Sequence, residues 1–401
     1  MTFKEFYQLA HFDYLYLYIE RFTQSRFWQV KLSLVLFGFV FLTTYPNYLD
    51  ILADPAPRTT FDYFYQKVES PLSPAVVGHT GSHGAKIAFR LTIPLLAKVL
   101  RIGWTVTGKD VVLVFLLQSL LLFPFLLLLT RIVNRHLDAV STVLFTVACS
   151  ATYLASAFFW DYHFWFDAYA FFFLLMGMYL RNRIGIFIFL LMACFTDERA
   201  VIALLSVYLF HLLEESNFTI SGFRDLFPRS SIRSRSSIVL LVVVSYVLIR
   251  LWLTTAYNLR TPSGENVGVS LSIIPFQLKH RLIGILFTFE GLWIPFLLSI
   301  IVLILRKQKL LAGILLATLL LHIVVAYSVY DITRSLTYGF PIFFIALLIA
   351  GKSFERDRRH ILLIVLLCCL VVPTHYVIYN IIQIPWTITA YDELKLVMKS
   401  L

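Results

Sequence analysis

Charge is scarce in this sequence. Asp, Glu, Lys and Arg together make up 14% of its 401 residues, where an average soluble domain carries about 25%. Hydrophobic residues reach 59% and the mean hydropathy is +0.80. So little polar side chain does not coat a water-soluble surface, and the chain reads as a membrane protein with no room for a separate soluble domain. Acid is scarcer than base, 23 residues against 34, for a net charge of +11. The basic residues form small clusters between apolar runs, the pattern of flanks that orient helices, which excludes nucleic acid as a partner. Cysteine is nearly absent. Cys149, Cys194, Cys368 and Cys369 all fall inside apolar runs with no CxxC spacing, so neither a metal framework nor a redox pair is expected and they read as packing residues. The first 31 residues lack a small-residue cleavage site and are interrupted by acidic and aromatic residues. They read as an interfacial helix at 1–29, not as a cleavable signal.

What is present is a series of apolar segments from residue 30 to residue 378. Spans are expected at 30–47, 110–130, 139–160, 167–181, 184–196, 199–213, 238–256, 282–305, 309–329, 335–351 and 360–378. That gives an all-α polytopic membrane protein of about 11 transmembrane helices in one domain, with a long first outer loop at 48–109 and an outer tail at 379–401. With the N-terminus cytoplasmic, the inside loops hold Arg131 and Arg135, Arg181 and Arg183, the cluster "RSSIRSRSS", Arg306 with Lys307, and Lys352 with Arg356 to Arg359, as the positive-inside rule requires. The fit depends on splitting 184–213 into two short helices that meet at "TDER". Asp197, Glu198 and Arg199 then lie at the outer turn, and charges at such depth tend to mark function. The plainer reading of Glu198 and Arg199 is an internal ion pair that locks the two helices.

The outer loop is long, and its stretch "AKIAFRLTIPLLAKVLRIG" carries apolar residues at helical spacing with Lys86, Arg90, Lys98 and Arg101 interspersed. A helix along the membrane surface is expected there, with Lys86 and Arg90, spaced i and i+4, on one face and able to hold one phosphate. The alternative is snorkelling toward lipid headgroups.

The order "FDYFYQKVESP" then "HGAKIAFRLTIPLLAKVL" resembles the first periplasmic loop of bacterial integral-membrane glycosyltransferases of the GT-C superfamily. The Asp-bearing second outer loop "FFWDYHFWFDAYAFFF" and the turn "FTDERA" follow in the same order, so the resemblance covers about residues 30 to 215. It departs from that pattern in having no paired Asp-Glu directly after the first span, and Lys86 where relatives often carry Arg. The resemblance implies a GT-C-like bundle and inverting sugar transfer from a polyprenyl-phosphate donor to a lipid, glycan or protein acceptor at the extracytoplasmic face of a bacterial inner membrane.

That chemistry needs a carboxylate to take the acceptor hydroxyl's proton and fixed cations for the leaving phosphate. Asp62, which precedes Tyr65 in the matching pattern, is the first candidate base, and Asp50, just past the first span, is the alternative; either is also a plausible turn former. Lys86, Arg90, Arg199 and Arg334 are the candidates for the donor phosphate, with Arg334 equally explained as a structural cap. Tyr65, Asp161, Asp167 and Glu198 are the candidates for substrate binding, the two aspartates flanking aromatic residues that also suit an interfacial belt. His163 alone does not make a metal site. Mg2+ or Mn2+ is the cofactor that some relatives use through oxygen ligands, and none is assigned here. The rival readings are a transporter or flippase, against which no symmetry between the two halves is seen, and a membrane acyltransferase using His79 and His83 as bases.

Overall fold

A computed structural model describes residues 12–53, 59–74, 88–102, 108–161, 166–216, 218, 225, 234–260, 270–390 and 394–395. The described chain is built from helices. The first half contains α1 (Phe12–Thr23), α2 (Trp28–Thr43), α3 (Asp50–Ala53), α4 (Thr59–Glu69), α5 (Thr92–Val99), α6 (Gly108–Leu120), α7 (Leu122–Asn134), α8 (Ala139–Ser150), α9 (Tyr153–Trp160) and α10 (Asp167–Tyr179). There follow α11 (Arg183–Thr196), α12 (Arg199–Glu215), α13 (Arg235–Tyr257), α14 (Ile274–Arg281), α15 (Gly284–Phe289), α16 (Trp293–Leu305), α17 (Lys309–Tyr327), α18 (Ile332–Thr337), α19 (Phe340–Ser353) and α20 (Arg358–Val371). A two-stranded antiparallel hairpin, β1 (His375–Val377) and β2 (Ile381–Gln383), closes the described chain. Among the described residues four helical stretches are long and apolar enough to cross a membrane, or up to six when each bent pair is one span.

The core follows from the aromatic content. Helix α19 is buried from Phe340 through Gly351, apolar all round as a central helix must be. Phe343 stacks on Phe289 at 3.8 Å between centroids, and Phe171 meets Tyr338 edge-on at 4.9 Å. By contrast α13 exposes Leu240, Val244, Val247, Leu248 and Leu251, the row that a lipid-facing helix presents.

The bundle has two polar ends. At one, Asp138 caps α8 by accepting from the Ser141 N–H at 3.1 Å and the Ser141 hydroxyl at 2.7 Å, and it also pairs with Arg358 and with Arg359. Arg359 reaches on to Glu20 of α1 at 2.7 Å, fastening a helix that meets α2 at 118°. At the same end Arg181 and Arg183 share a hollow with Glu214, Glu215 and Arg235. The start of α11 and the end of α12 therefore lie together, and the two helices form a hairpin whose turn, Asp197 and Glu198, sits at the other end. At 1.5 Å per residue they are about 21 and 26 Å long, shorter than a hydrocarbon core of roughly 30 Å.

Three expectations are corrected. The surface helix expected over 85–103 is, among the described residues, reduced to Thr92–Val99, because Pro94 favours a first turn and has no N–H to continue one from upstream. Arg90 lies outside that helix, so the i, i+4 argument for a shared face with Lys86 fails; Lys86 itself lies outside the described residues. The segment expected to span 360–378 leaves the helix at Val371, because Pro373 drives Val372 to extended geometry, φ −87° and ψ 117°. The chain beyond it packs back on the bundle: the Thr387 N–H donates to the Leu42 carbonyl at 3.1 Å and the Tyr45 N–H to the Pro385 carbonyl at 2.9 Å.

Candidate functional site

The turn of the α11–α12 hairpin opens a buried charge cluster. Helix α11 ends at Thr196 because Asp197 turns extended, φ −149° and ψ 136°. The Asp197 side chain then takes the Arg199 N–H at 2.9 Å, supporting the first turn of α12. Its two oxygens also receive the Arg199 guanidinium in a fork, Nε to Oδ1 and Nη2 to Oδ2, both at 2.8 Å. From the segment before α5, Arg90 Nη2 reaches Asp197 Oδ2 at 2.8 Å. One carboxylate thus ties the segment 88–102 to the hairpin.

Asp167, wholly buried at the first position of α10, is the second anchor. It accepts from Arg199 Nη2 at 3.0 Å and from the Tyr338 hydroxyl at 2.6 Å, and Arg334 Nε stands 3.0 Å from its Oδ2. Arg334 is 4% exposed and also pairs with Asp331 one turn earlier at 3.0 Å. Arg199 Nη1 donates to the Ser335 hydroxyl at 2.7 Å. Three guanidiniums, Arg90, Arg199 and Arg334, thus stand against three carboxylates, Asp167, Asp197 and Asp331. A neutral balance is what burial at this depth requires.

Asp161 is the fourth carboxylate and differs in kind. It is 5% exposed and its Oδ2 takes the Asp167 N–H at 3.3 Å, yet it forms no ion pair with a described arginine. Gln118 holds the Asp161 backbone carbonyl at 2.8 Å. The hairpin covers this corner: Tyr376 stacks on Tyr153 at 5.5 Å and meets Trp160 edge-on at 6.3 Å, and the Val377 N–H donates to Thr333 of α18.

At the rim, Glu198 faces away from Arg199 and pairs with Arg250 of α13 at 2.9 Å, with both side chains about one-third exposed. The Arg250 guanidinium lies 4.2 Å above the Phe89 ring, next to Arg90 in sequence. Apolar hollows flank α5 on both sides. One of about 410 Å³ is lined by Leu91, Leu95, Val99, Phe195, Ile249 and Leu253. The other, of about 310 Å³, is lined by Ile93, Ala97, Leu117, Leu121 and Phe173 among others. Leu91, Phe195 and Ile249 are one or two residues from Arg90, Asp197 and Arg250, so the larger groove begins where the charges end.

The structure therefore brings Arg90, Arg199, Arg334, Asp161, Asp167 and Glu198 to one end of the bundle. The expected lock between Glu198 and Arg199 is instead Asp197 with Arg199, and Arg90, Arg199 and Arg334, expected to hold a phosphate, all carry carboxylates. Asp50 receives the Tyr45 hydroxyl at 3.0 Å. Tyr65 packs beside Phe64, whose ring lies 5.6 Å from Phe166, the residue before Asp167. The Asp62 side chain, His79, His83 and His163 lie outside the described residues. The described His, Cys, Asp and Glu side chains form no group of three suited to a metal. Lys67, near the end of α4, donates to the Pro71 and Ser73 carbonyls, and burial pulls its ammonium down to about 8. Asp197 and Arg250 went unassigned in the sequence, although an arginine inside the apolar run of α13 was a legible signal. The chain matches no protein-family model, no curated protein and no solved structure.

Proposed function

We propose that the chain is an inverting glycosyltransferase of the GT-C kind that moves a sugar from a polyprenyl-phosphate donor to an acceptor on the extracytoplasmic face. The observation that carries this reading is the apolar groove beside α5 that begins at Arg90 and Arg250. A long isoprenoid needs such a groove and its phosphate needs cations at the head of it. Arg250 and Arg90 take the phosphate, with Arg199 and Arg334 as fixed charge behind them.

In the transfer, the acceptor oxygen bonds to the anomeric carbon as the bond from that carbon to the phosphate oxygen breaks. The electron pair leaves on the polyprenyl phosphate and the hydroxyl proton passes to a carboxylate. Asp62 is the base that the resemblance implies; Asp161, whose Oδ2 takes the Asp167 N–H at the edge of the cluster, is the second candidate. In this reading about 11 spans form one domain, with the N-terminus cytoplasmic, the charge cluster outward, and the whole in a bacterial inner membrane. The experiment is transfer of labelled sugar from a polyprenyl-phosphate donor by the purified protein, with Asp161→Asn and Asp62→Asn side by side. Loss of transfer in one variant with donor binding retained is the expected result. Full transfer in both removes the mechanism, and an intact protein that never binds the donor removes the function.

A further inference from the structure

Glu290 stands apart from the charge cluster. It follows α15 and opens the 3-10 turn that leads to α16, inside the stretch Gly284–Leu305 that is long and apolar enough to cross a membrane. From Gly284 to Glu290 the helix rises roughly 9 Å. The Glu290 backbone holds φ 48° and ψ −122°, a conformation that costs a non-glycine residue about 1–3 kcal/mol and persists where the surroundings enforce it. Oε1 and Oε2 are both buried, and neither accepts a hydrogen bond among the described residues.

Among the described residues, the elements packed on this turn bring no cation. Helix α20 meets Gly291 with the Val365 carbonyl, Cys368 and Cys369; α19 meets Phe289 with Phe343; α16 contributes Trp293 beside the same ring. Among the described residues the titratable group that faces the carboxyl is the Cys369 thiol, with Cys368 and Cys149 of α8 beside Cys369. Glu290 also sits at the C-terminal end of α15, its N–H on the Leu286 carbonyl, where the helix dipole is itself negative. A bare carboxylate there would have neither a donor nor a counter-charge among the described residues, and such a buried group takes a proton instead. A strained, unpartnered acid in a broken span is costly to retain unless it is used.

We infer that Glu290, set in the break between α15 and α16, is an intramembrane proton-binding site. It takes up and releases a proton separately from the Asp167 and Asp197 cluster. Release calls for the broken turn to open toward water, and α15 is placed to transmit that movement. Its Gly284 packs against Ile332 of α18 and Val377 of β1, and α18 carries Arg334.

The test uses the full chain in detergent micelles and the lipid-soluble probe dicyclohexylcarbodiimide. A protonated carboxyl adds across one carbon–nitrogen double bond of the probe: its oxygen bonds to the central carbon and its proton goes to nitrogen. The acyl group then migrates to nitrogen, leaving a stable adduct with no atom lost. Near pH 7 an unperturbed glutamate is only roughly 0.2% protonated, so exposed acids react poorly. The expected result is one adduct, mapped by peptide mass spectrometry to Glu290, whose rate falls as pH is raised toward 10. Glu290→Gln forms none, and sodium at fixed pH leaves the rate unchanged. Absence of an adduct at Glu290, a rate that pH does not move, or protection by sodium overturns the proton assignment. Should Glu290→Gln fail to fold, the mapped adduct and its pH profile in the unaltered chain decide alone. None of these readouts depends on sugar transfer.

Discussion

Asp197→Asn tests the physical account of the charge cluster most sharply. Asparagine keeps an oxygen for the Arg199 N–H, so the local turn, worth about 1 kcal/mol, survives. What changes is charge: three guanidiniums then face two carboxylates, Asp167 and Asp331. Removing one partner of a buried pair costs about 3–5 kcal/mol, because the remaining charge stays desolvated. The Asp197 side chain is 1% exposed and Arg90 and Arg199 are 11% and 12% exposed, so solvent does little to reduce that figure. Equilibrium unfolding in mixed micelles measures it, with a thiol-reactive dye reporting exposure of the buried Cys149, Cys194 and Cys369. Adding Arg90→Met restores the balance of charges, so the double variant is expected to be more stable than Asp197→Asn alone, with a coupling of roughly 1–3 kcal/mol. A single-variant loss within about 0.5 kcal/mol, the range of ordinary surface substitutions, or strictly additive losses would refute the idea that Asp197 neutralises buried arginine.

Arg250→Ala removes a guanidinium that is 28% exposed and pairs at the rim; stability is expected to change by less than about 1 kcal/mol, while affinity for a polyprenyl phosphate measured in nanodiscs falls at least about tenfold. Gly291→Ala places a Cβ against the Val365 carbonyl and Cys369, and separation of α16 from α20 is expected to cost about 1–3 kcal/mol by the same unfolding measurement. Burial pushes the Asp138 carboxyl up, but the Ser141 hydroxyl and N–H and the Arg358 guanidinium outweigh it and hold the group below the ordinary carboxylate range. Its contribution is therefore complete above the unfolded value of about 3.9 and is lost as pH falls through the lower folded value. The stability gap between the unaltered chain and Asp138→Ala, roughly 1 kcal/mol or more near neutrality, should close in strong acid, and a gap that widens there contradicts this.

Part of this site was readable from residue order. The break between residues 196 and 199 follows from three charges between two apolar runs, and the structure ends α11 at Thr196 and starts α12 at Arg199. Asp138 three residues before Ser141 is a local capping pattern, so it too was available in the sequence. The partner of each charge was not. Arg199 neighbours Glu198 in the chain, yet Glu198 pairs with Arg250 and Arg199 with Asp167, 32 residues earlier. Helical rotation of about 100° per residue sends adjacent side chains to different faces. The helix expected over 85–103 was shortened for a related reason: periodicity marks a potential amphipathic face, but Pro94 decides where the helix begins.

Composition alone determined that this chain is helical and belongs in a membrane, since a polypeptide with 14% charged residues and apolar runs throughout must satisfy its backbone internally and present hydrocarbon to lipid. Tertiary structure decided which charges share an environment. The pairing energy of Asp167 with Arg334 across 167 positions, or of Arg90 with Asp197 across 107, depends on a few ångströms of distance and on exclusion of water. Both quantities arise only when α5, α10, α12 and α18 are brought to one end of the bundle.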